Sequence, residues 1–232
     1  MAKCLVTGHK GYIGSRLFAN LKSLGHDVKG IDLVEGHDIK KDLKEKFHPD
    51  YYSFKPEYIF HLACFPRVAY SVENPVLTME NNVLSTSYVL NFARNVGAKR
   101  VIYSSSSSVL GNGEGPTSPY ALQKLVSEME CKLYSDLYDL DTVSLRYFNV
   151  YSEDQEVNGP HATAIAAWMN SIKKGINPYI TGTGEQARDM LHVSDAVRAN
   201  VFAMNRKEKF NGESYDIGTG ENISLNELKE IV

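Results

Sequence analysis

The chain has 232 residues, 25 Lys plus Arg against 28 Asp plus Glu, 43% apolar residues, a formal charge of −3 and a sequence pI near 6.2. That is apolar material for one large domain, with or without an attached lobe, and an acidic balance offers no diffuse positive field to a phosphate backbone, which argues against a nucleic-acid partner. No stretch reaches the ~18 apolar residues of a membrane span, and strand-like residues from Lys3 onward leave no room for a signal peptide, so a cytoplasmic location without membrane contact is expected.

Taken in chain order, short apolar runs alternate with segments of helical period. Cys4–Thr7 precedes a helical Ser15–Leu24, and Val28–Leu33 follows. Tyr58–Ala63 precedes Asn81–Val96, Arg100–Ser104 precedes Tyr120–Tyr138, and Thr142–Tyr147 closes the series. Runs of four to six residues rich in Val, Ile and Tyr, separated by helices, predict βαβ units and a doubly wound parallel sheet buried on both faces. Beyond Ser152 the alternation loosens through a helical Thr163–Lys174 and Gly182-Thr-Gly184. A helix over Val193–Asn205 and a strand over Tyr215–Ile217 are expected to rejoin the sheet. The reading is therefore a main domain over 1–151, rejoined by about 193–217, and a small lobe made of 152–192 and 218–232. Ser224 and Glu227 form a capping box, yet only about two turns follow, so that helix either packs on the sheet or has lost what came after it. Cys4, Cys64 and Cys131 are widely spaced in apolar segments and read as reduced core thiols.

Two motifs carry chemistry. Gly8-His-Lys-Gly11-Tyr-Ile-Gly14 lies between the first strand and first helix, where glycines permit a tight turn and bring backbone N–H groups to a pyrophosphate. Asp32 ends the second strand 18 residues after Gly14, placed to accept hydrogen bonds from an adenosine ribose. No Arg directly follows Asp32 to receive a 2′-phosphate, so NAD is expected rather than NADP. Tyr120 and Lys124 stand at i and i+4 of a helix, on one face, where an ammonium stabilises a phenolate and makes tyrosine usable as a base. The seven histidines show no ligand spacing, and His61 and His192 read as structural; no metal is expected.

With these motifs the sequence resembles the extended short-chain dehydrogenase/reductase family, in its nucleotide-sugar epimerase and dehydratase group. Further matching segments are Phe60-His-Leu-Ala63, Asn81-Asn-Val83, Ser104-Ser-Ser106 with Val109-Leu-Gly111, Leu145–Tyr151, Gly184–Asp189 with His192-Val193, and Ile217–Gly220, so the likeness covers almost the whole chain. It implies a Rossmann-like fold with a small, shortened C-terminal substrate lobe. It also implies Ser106, Tyr120 and Lys124 as catalytic residues, Ser106 binding the reacting sugar oxygen. The implied cofactor contacts are Gly8, Gly11, Tyr12, Ile13 and Gly14 at the pyrophosphate. Asp32 belongs with the adenosine ribose, Ala63 and Cys64 pass under the pyrophosphate and ribose, and Asn81 lies near that ribose, with a helix cap as its alternative role; Leu33, Leu62, Tyr120 and Lys124 are further cofactor contacts. Ser104, Ser105, Tyr147 and Phe148 belong with the nicotinamide. Asn149 and Arg188 are implied for the sugar-nucleotide diphosphate. The adenine contact is either Asp38-Ile39 or Asp42-Leu43, the second being favoured.

Three departures bear on the reaction. The positions after Ser106 that carry acid and base in the dehydratases, and a Glu in the decarboxylases, hold Ser107 and Ser108, whose hydroxyls cannot replace carboxylates in proton transfer. The loop Gly111–Pro119 is compressed, and the chain ends before the segment in which the family supplies another Arg for the diphosphate. The resemblance therefore implies an NAD-dependent epimerase, acting at C4 of a UDP-hexose through a transient 4-keto intermediate. An NAD-dependent reductase or dehydrogenase, and a non-catalytic NAD-binding protein, are the alternatives. It further implies a homodimer through a four-helix bundle, with Val89, Phe92, Leu133 and Leu137 serving either that seam or the internal core.

Overall fold

The computed structural model describes residues 1–33, 39–40, 43, 47, 49–155, 164–177, 180 and 182–231. The first half runs β1 (Lys3–Thr7), α1 (Tyr12–Ser23), β2 (Asp27–Asp32), β3 (Ile39–Lys40), α2 (Pro49–Phe54), β4 (Tyr58–His61), α3 (Val68–Glu73), α4 (Pro75–Met79), α5 (Ser85–Val96) and β5 (Arg100–Ser106). It continues through α6 (Pro119–Tyr138), β6 (Asp141–Tyr147), β7 (Val150–Tyr151), α7 (Ala164–Lys173), β8 (Ala187–Arg188), β9 (Leu191–His192), α8 (Val193–Asn205), β10 (Ser214–Ile217), β11 (Ile223–Ser224) and α9 (Leu225–Ile231). Seven strands form one sheet in the order β10-β6-β5-β4-β1-β2-β3, every adjacent pair parallel. The order reverses at β1, flanked by β2 and β4, and such a reversal opens a crevice beyond the carboxyl ends of the strands.

Because side chains alternate across a strand, one apolar run feeds two cores. Cys4, Val6, Phe60, Ile102 and Val143 face α1 and α8. Leu5, Ile59, Val101 and Tyr103 face the other way, onto Val89, Leu90, Phe92 and Ala93 of α5 and Cys131 of α6. Cys4 and Cys131 are buried thiols, but Cys64 differs from that expectation: β4 has ended before it, and it stands half-buried at the crevice. A third core of Ile165, Trp168 and Leu228, with Tyr151, Met190 and Ile223 against it, lies beside the two-stranded pairs β7·β9 and β8·β11. Its last helix opens with the Ser224–Glu227 capping box in both directions, and α9 docks through Leu228 onto this core rather than onto the main sheet.

The helix expected from Asn81 begins earlier. Pro75 starts α4, a π-helical turn spans Glu80–Leu84, and α5 continues to Gly97, which caps it in the left-handed conformation. A buried polar network bolts this segment to α6: Asn82 Nδ2 donates to Gln123 Oε1 at 2.8 Å, Gln123 Nε2 donates to Thr78 Oγ1 at 2.9 Å, and the Tyr120 N–H donates to Ser71 Oγ at 3.0 Å. Ser118 caps α6 by accepting from the Ala121 N–H, with Pro119 in the first turn. These contacts fix where α6 starts, and hence where Tyr120 and Lys124 point.

Candidate active site

A cleft of ≈ 1770 Å³ opens at the carboxyl ends of β1, β4, β5 and β6. This exceeds the ~1,000 Å³ upper end of ordinary small-molecule sites, room for two ligands side by side. Its floor is the loop after β1. Gly8 has φ +70°, and a Cβ there would stand 2.8 Å from the Ala63 nitrogen; a Cβ on Gly14 would stand 2.0 Å from the Gly8 carbonyl oxygen. Only glycines let this loop lie against β4 and α1 at once. α1 begins at Gly11 with no side-chain cap, and Gly11, Tyr12, Ile13 and Gly14 border the cleft, so the positive end of the helix is presented to an anion. Asp32, half-buried at the end of β2, accepts from the Lys10 N–H at 2.8 Å, and Leu33, Leu43, Leu62 and Ala63 border the same region. This cradle and its carboxylate fit a dinucleotide. Asp38 and Asp42 lie outside the described residues.

The catalytic candidates converge from β5 and α6. Lys124 is 2% exposed, donates from Nζ to the Ser104 carbonyl at 2.6 Å, and lies 4.9 Å from the Tyr103 ring centroid and 5.9 Å from that of Tyr120. Burial pushes the Tyr120 phenol up to about 12, with Lys124 and a hydrogen bond from Ser106 pulling the other way and Cys64 and Tyr103 adding to the rise. Burial opposes the charge on Lys124, but Cys64 and Tyr120 outweigh it and hold the ammonium above its ordinary value. Ser106 Oγ accepts from the Ser108 N–H at 3.2 Å and from its hydroxyl at 3.0 Å, capping the 3₁₀ turn Ser107–Gly113. The compressed loop thus becomes a tight turn, with Gly111 and Asn112 both at positive φ.

Other expected contacts border the cleft with their polar atoms engaged. Ser105 borders the cleft and donates its hydroxyl to Glu128. Ser104 Oγ lies 3.3 Å from Tyr147 Oη, which accepts from Asn200 Nδ2 at 2.7 Å; Phe148 is half-buried beside it. Asn81 donates to the Leu77 carbonyl at 2.7 Å within the helical run, so it caps no helix N-terminus. Asn149 Nδ2 donates to the Asp189 carbonyl at 2.8 Å, and Arg188 is exposed at the rim. His61 is locked between Thr7 Oγ1 at 2.8 Å and Thr86 Oγ1 at 3.0 Å, and burial holds its pKa down to about 3. His192 caps α8. Among the described residues no group of three or more His, Cys, Asp or Glu side chains is arranged to hold a metal.

Positioning residues that sequence reasoning did not find are Ser71, Asn82 and Gln123, described above, and Asp189. The Asp189 carboxylate is buried and accepts from the N–H groups of Thr219 and Gly220 at 2.9 Å each, fastening the loop after β10 beside Arg188. Asn82 also accepts from the Phe65 N–H at 2.7 Å, shaping the cleft wall after β4.

A switch-point crevice with a glycine cradle, a carboxylate at the second strand and a buried Tyr–Lys pair defines a dinucleotide-dependent enzyme of the short-chain dehydrogenase/reductase type. The model of the NAD dependent epimerase/dehydratase family matches residues 4–218, and the chain belongs to that family. It is 35% identical to a putative UDP-glucose 4-epimerase of Methanocaldococcus jannaschii, over 98% of this chain and 80% of that protein. Its fold superposes with a TM-score of 0.90 on the UDP-N-acetylglucosamine 4-epimerase from Methanobrevibacter ruminantium in complex with UDP-N-acetylmuramic acid, at 32% identity over 99% of this chain and 80% of that one. The Thermus thermophilus UDP-glucose 4-epimerase in complex with NAD superposes with a TM-score of 0.86 at 29% identity, over 98% and 81% of the two chains.

Proposed function

We propose that this enzyme is an NAD-dependent epimerase that inverts C4 of a UDP-hexose. The observation that carries the reading is the buried Tyr120–Lys124 pair facing Ser106 in a cleft whose next two side chains are Ser107 and Ser108. Proton transfer to and from a sugar hydroxyl is provided for; elimination or decarboxylation would call for a carboxylate where the serines stand.

Bound NAD would supply the acceptor and donor of the hydride exchanged with the sugar carbon. Gly11, Tyr12 and Ile13 would hold its pyrophosphate, Asp32 its adenosine ribose and Lys124 its nicotinamide ribose. Tyr120 Oη receives the C4 hydroxyl proton and later gives it back. The Ser106 hydroxyl steadies the same sugar oxygen, and Lys124 pulls the phenol's pKa down, but burial leaves it at about 12 with Lys124 in place, so the positive nicotinium ring of bound NAD would have to complete its ionisation. Asn149 and Arg188 serve the sugar-nucleotide diphosphate. The third core, with residues of 152–192 and 218–231, acts as the substrate lobe.

Assembly and place belong to the same reading. Leu122, Met129, Leu133 and Leu137 expose an apolar stripe along α6, with Leu84 and Tyr88 nearby on the preceding helical run, as a two-fold four-helix seam would require. Val89 and Phe92 are buried in the core and take no part in it. No described helix is long and apolar enough to cross a membrane, and a cytoplasmic location is part of the proposal. The test is incubation of the purified protein with UDP-, GDP- and dTDP-hexoses. C4 inversion of a UDP-hexose without net NADH production supports the reading; a released oxidised or reduced sugar would replace it with the reductase alternative.

A further inference from the structure

We propose that four side chains on α1 and on the segment after β7 form a clasp that sets how fast the dinucleotide leaves the crevice. Tyr12 Oη donates to Ser152 Oγ at 2.6 Å, and Ser152 Oγ donates to Asp154 Oδ1 at 2.7 Å. Arg16 closes the ring, donating from Nη2 to Asp154 Oδ1 at 2.6 Å and from Nη1 to the Tyr12 carbonyl at 2.7 Å. Its guanidinium carbon also lies 4.5 Å from the Tyr12 ring centroid, in cation–π range.

The position of this ring gives it a role. Tyr12 and Arg16 project from the first turns of α1, the end that would receive the pyrophosphate, and both border the cleft. Asp154 and Gln155 border the same cleft from the segment that leads away from β7. A dinucleotide seated on α1 therefore has one wall of its exit made by a segment held to α1 through these side chains. The ring is also built to open. Ser152, at its inner end, is buried, but the Asp154 side chain is 73% exposed, so water competes for the outer links. None of the four residues belongs to a strand of the main sheet, so parting the ring leaves every ladder of that sheet intact. Opening would cost one neutral hydrogen bond and one partly exposed ion pair, a barrier that tunes release without abolishing binding.

The inference rests on the NAD-dependent reading, and its test separates the two. NADH bound to the purified protein is chased with excess NAD, and the loss of NADH fluorescence gives the release rate. The parent is compared with Ser152→Ala, Asp154→Asn, the double variant and Ser152→Thr, which keeps the hydroxyl; urea unfolding of each NAD-free protein is measured in parallel. The double variant should release NADH about tenfold faster, with the unfolding midpoint of the NAD-free protein falling by no more than one neutral hydrogen bond and one exposed ion pair account for, and Ser152→Thr close to the parent. Release within twofold of the parent in the double variant overturns the clasp. So does faster release in a variant whose unfolding midpoint falls by more than those two links account for, which marks a general structural tie. A parent that binds no NADH overturns the NAD-dependent reading and the clasp with it.

Discussion

Tyr120 and Lys124 divide one task. The phenol carries the proton, and the ammonium decides at which pH it can be given up. Tyr120→Phe should keep NAD binding, read by NADH fluorescence, while losing about 10²- to 10⁴-fold in turnover, the usual contribution of a positioned proton carrier. Lys124 lowers the Tyr120 pKa, so Lys124→Met should move the rising limb of the kcat/KM profile to higher pH; an unmoved limb would assign the ionisation to another group. His61 works in the opposite pH range. Its folded pKa of about 3 lies below the ordinary 6.5, so its neutral form stabilises the fold above pH 6.5 and this contribution is lost as pH falls toward 3. Over that interval the loss is about 1.4 kcal/mol per pH unit. Urea unfolding between pH 7 and pH 4 should show a shallower pH slope for His61→Gln than for the parent. At this scale the sequence was informative wherever chemistry demands a residue type: Gly8, Asp32, Tyr120 and Lys124 all meet in one cleft. Arg16 and Asp154 carried no such signal, being 138 residues apart with no local pattern to join them.

Elements were legible in proportion to how completely they are buried. β1 and β4 are mostly apolar, Val101–Tyr103 is the apolar centre of β5, and Val143, Leu145 and Tyr147 alternate with polar residues in β6; burial on both sheet faces is why these runs stand out. α3 and α4 escaped notice because Val68, Val72, Val76 and Leu77 are exposed and Asn74-Pro75 interrupts any helical period. The network that seats α6 was equally hidden, since Ser71, Thr78, Asn82 and Gln123 read as ordinary surface residues until the fold buries them. Its consequence is testable. Gln123→Leu removes the acceptor of Asn82 Nδ2 and the donor to Thr78, and should cost about 1–3 kcal/mol by urea unfolding, the usual penalty for stranding buried polar groups. Because Tyr120 and Lys124 share this helix with Gln123, turnover should fall more than NADH affinity does. A loss of stability with kinetics untouched would show that α6 is seated by its apolar contacts alone.

For the whole molecule, periodicity identified the apolar faces of α5 and α6 but not what covers them. Val89 and Phe92 are buried in the core, Phe92 stacked on Phe47, whereas Leu133 and Leu137 are 52% and 62% exposed. Burying two such leucines at a seam is worth about 1.5–3 kcal/mol each. Leu133→Glu with Leu137→Glu should therefore convert a micromolar dimer to monomer in sedimentation velocity, with the circular dichroism of the fold retained. A parent that is already monomeric at that concentration would set the seam aside.

The third core also equips the molecule with an optical reporter. The chain has a single tryptophan, and Trp168 packs there with Ile165 and Leu228, away from the seven-stranded sheet. Indole emission in the native protein should be blue-shifted, and its shift to the red on denaturation follows that cluster alone, whereas far-ultraviolet circular dichroism follows the bulk of the backbone. Coincident denaturation curves from the two signals would mean that the cluster and the sheet melt as one cooperative unit; an earlier emission change would resolve the cluster as a unit that loosens first.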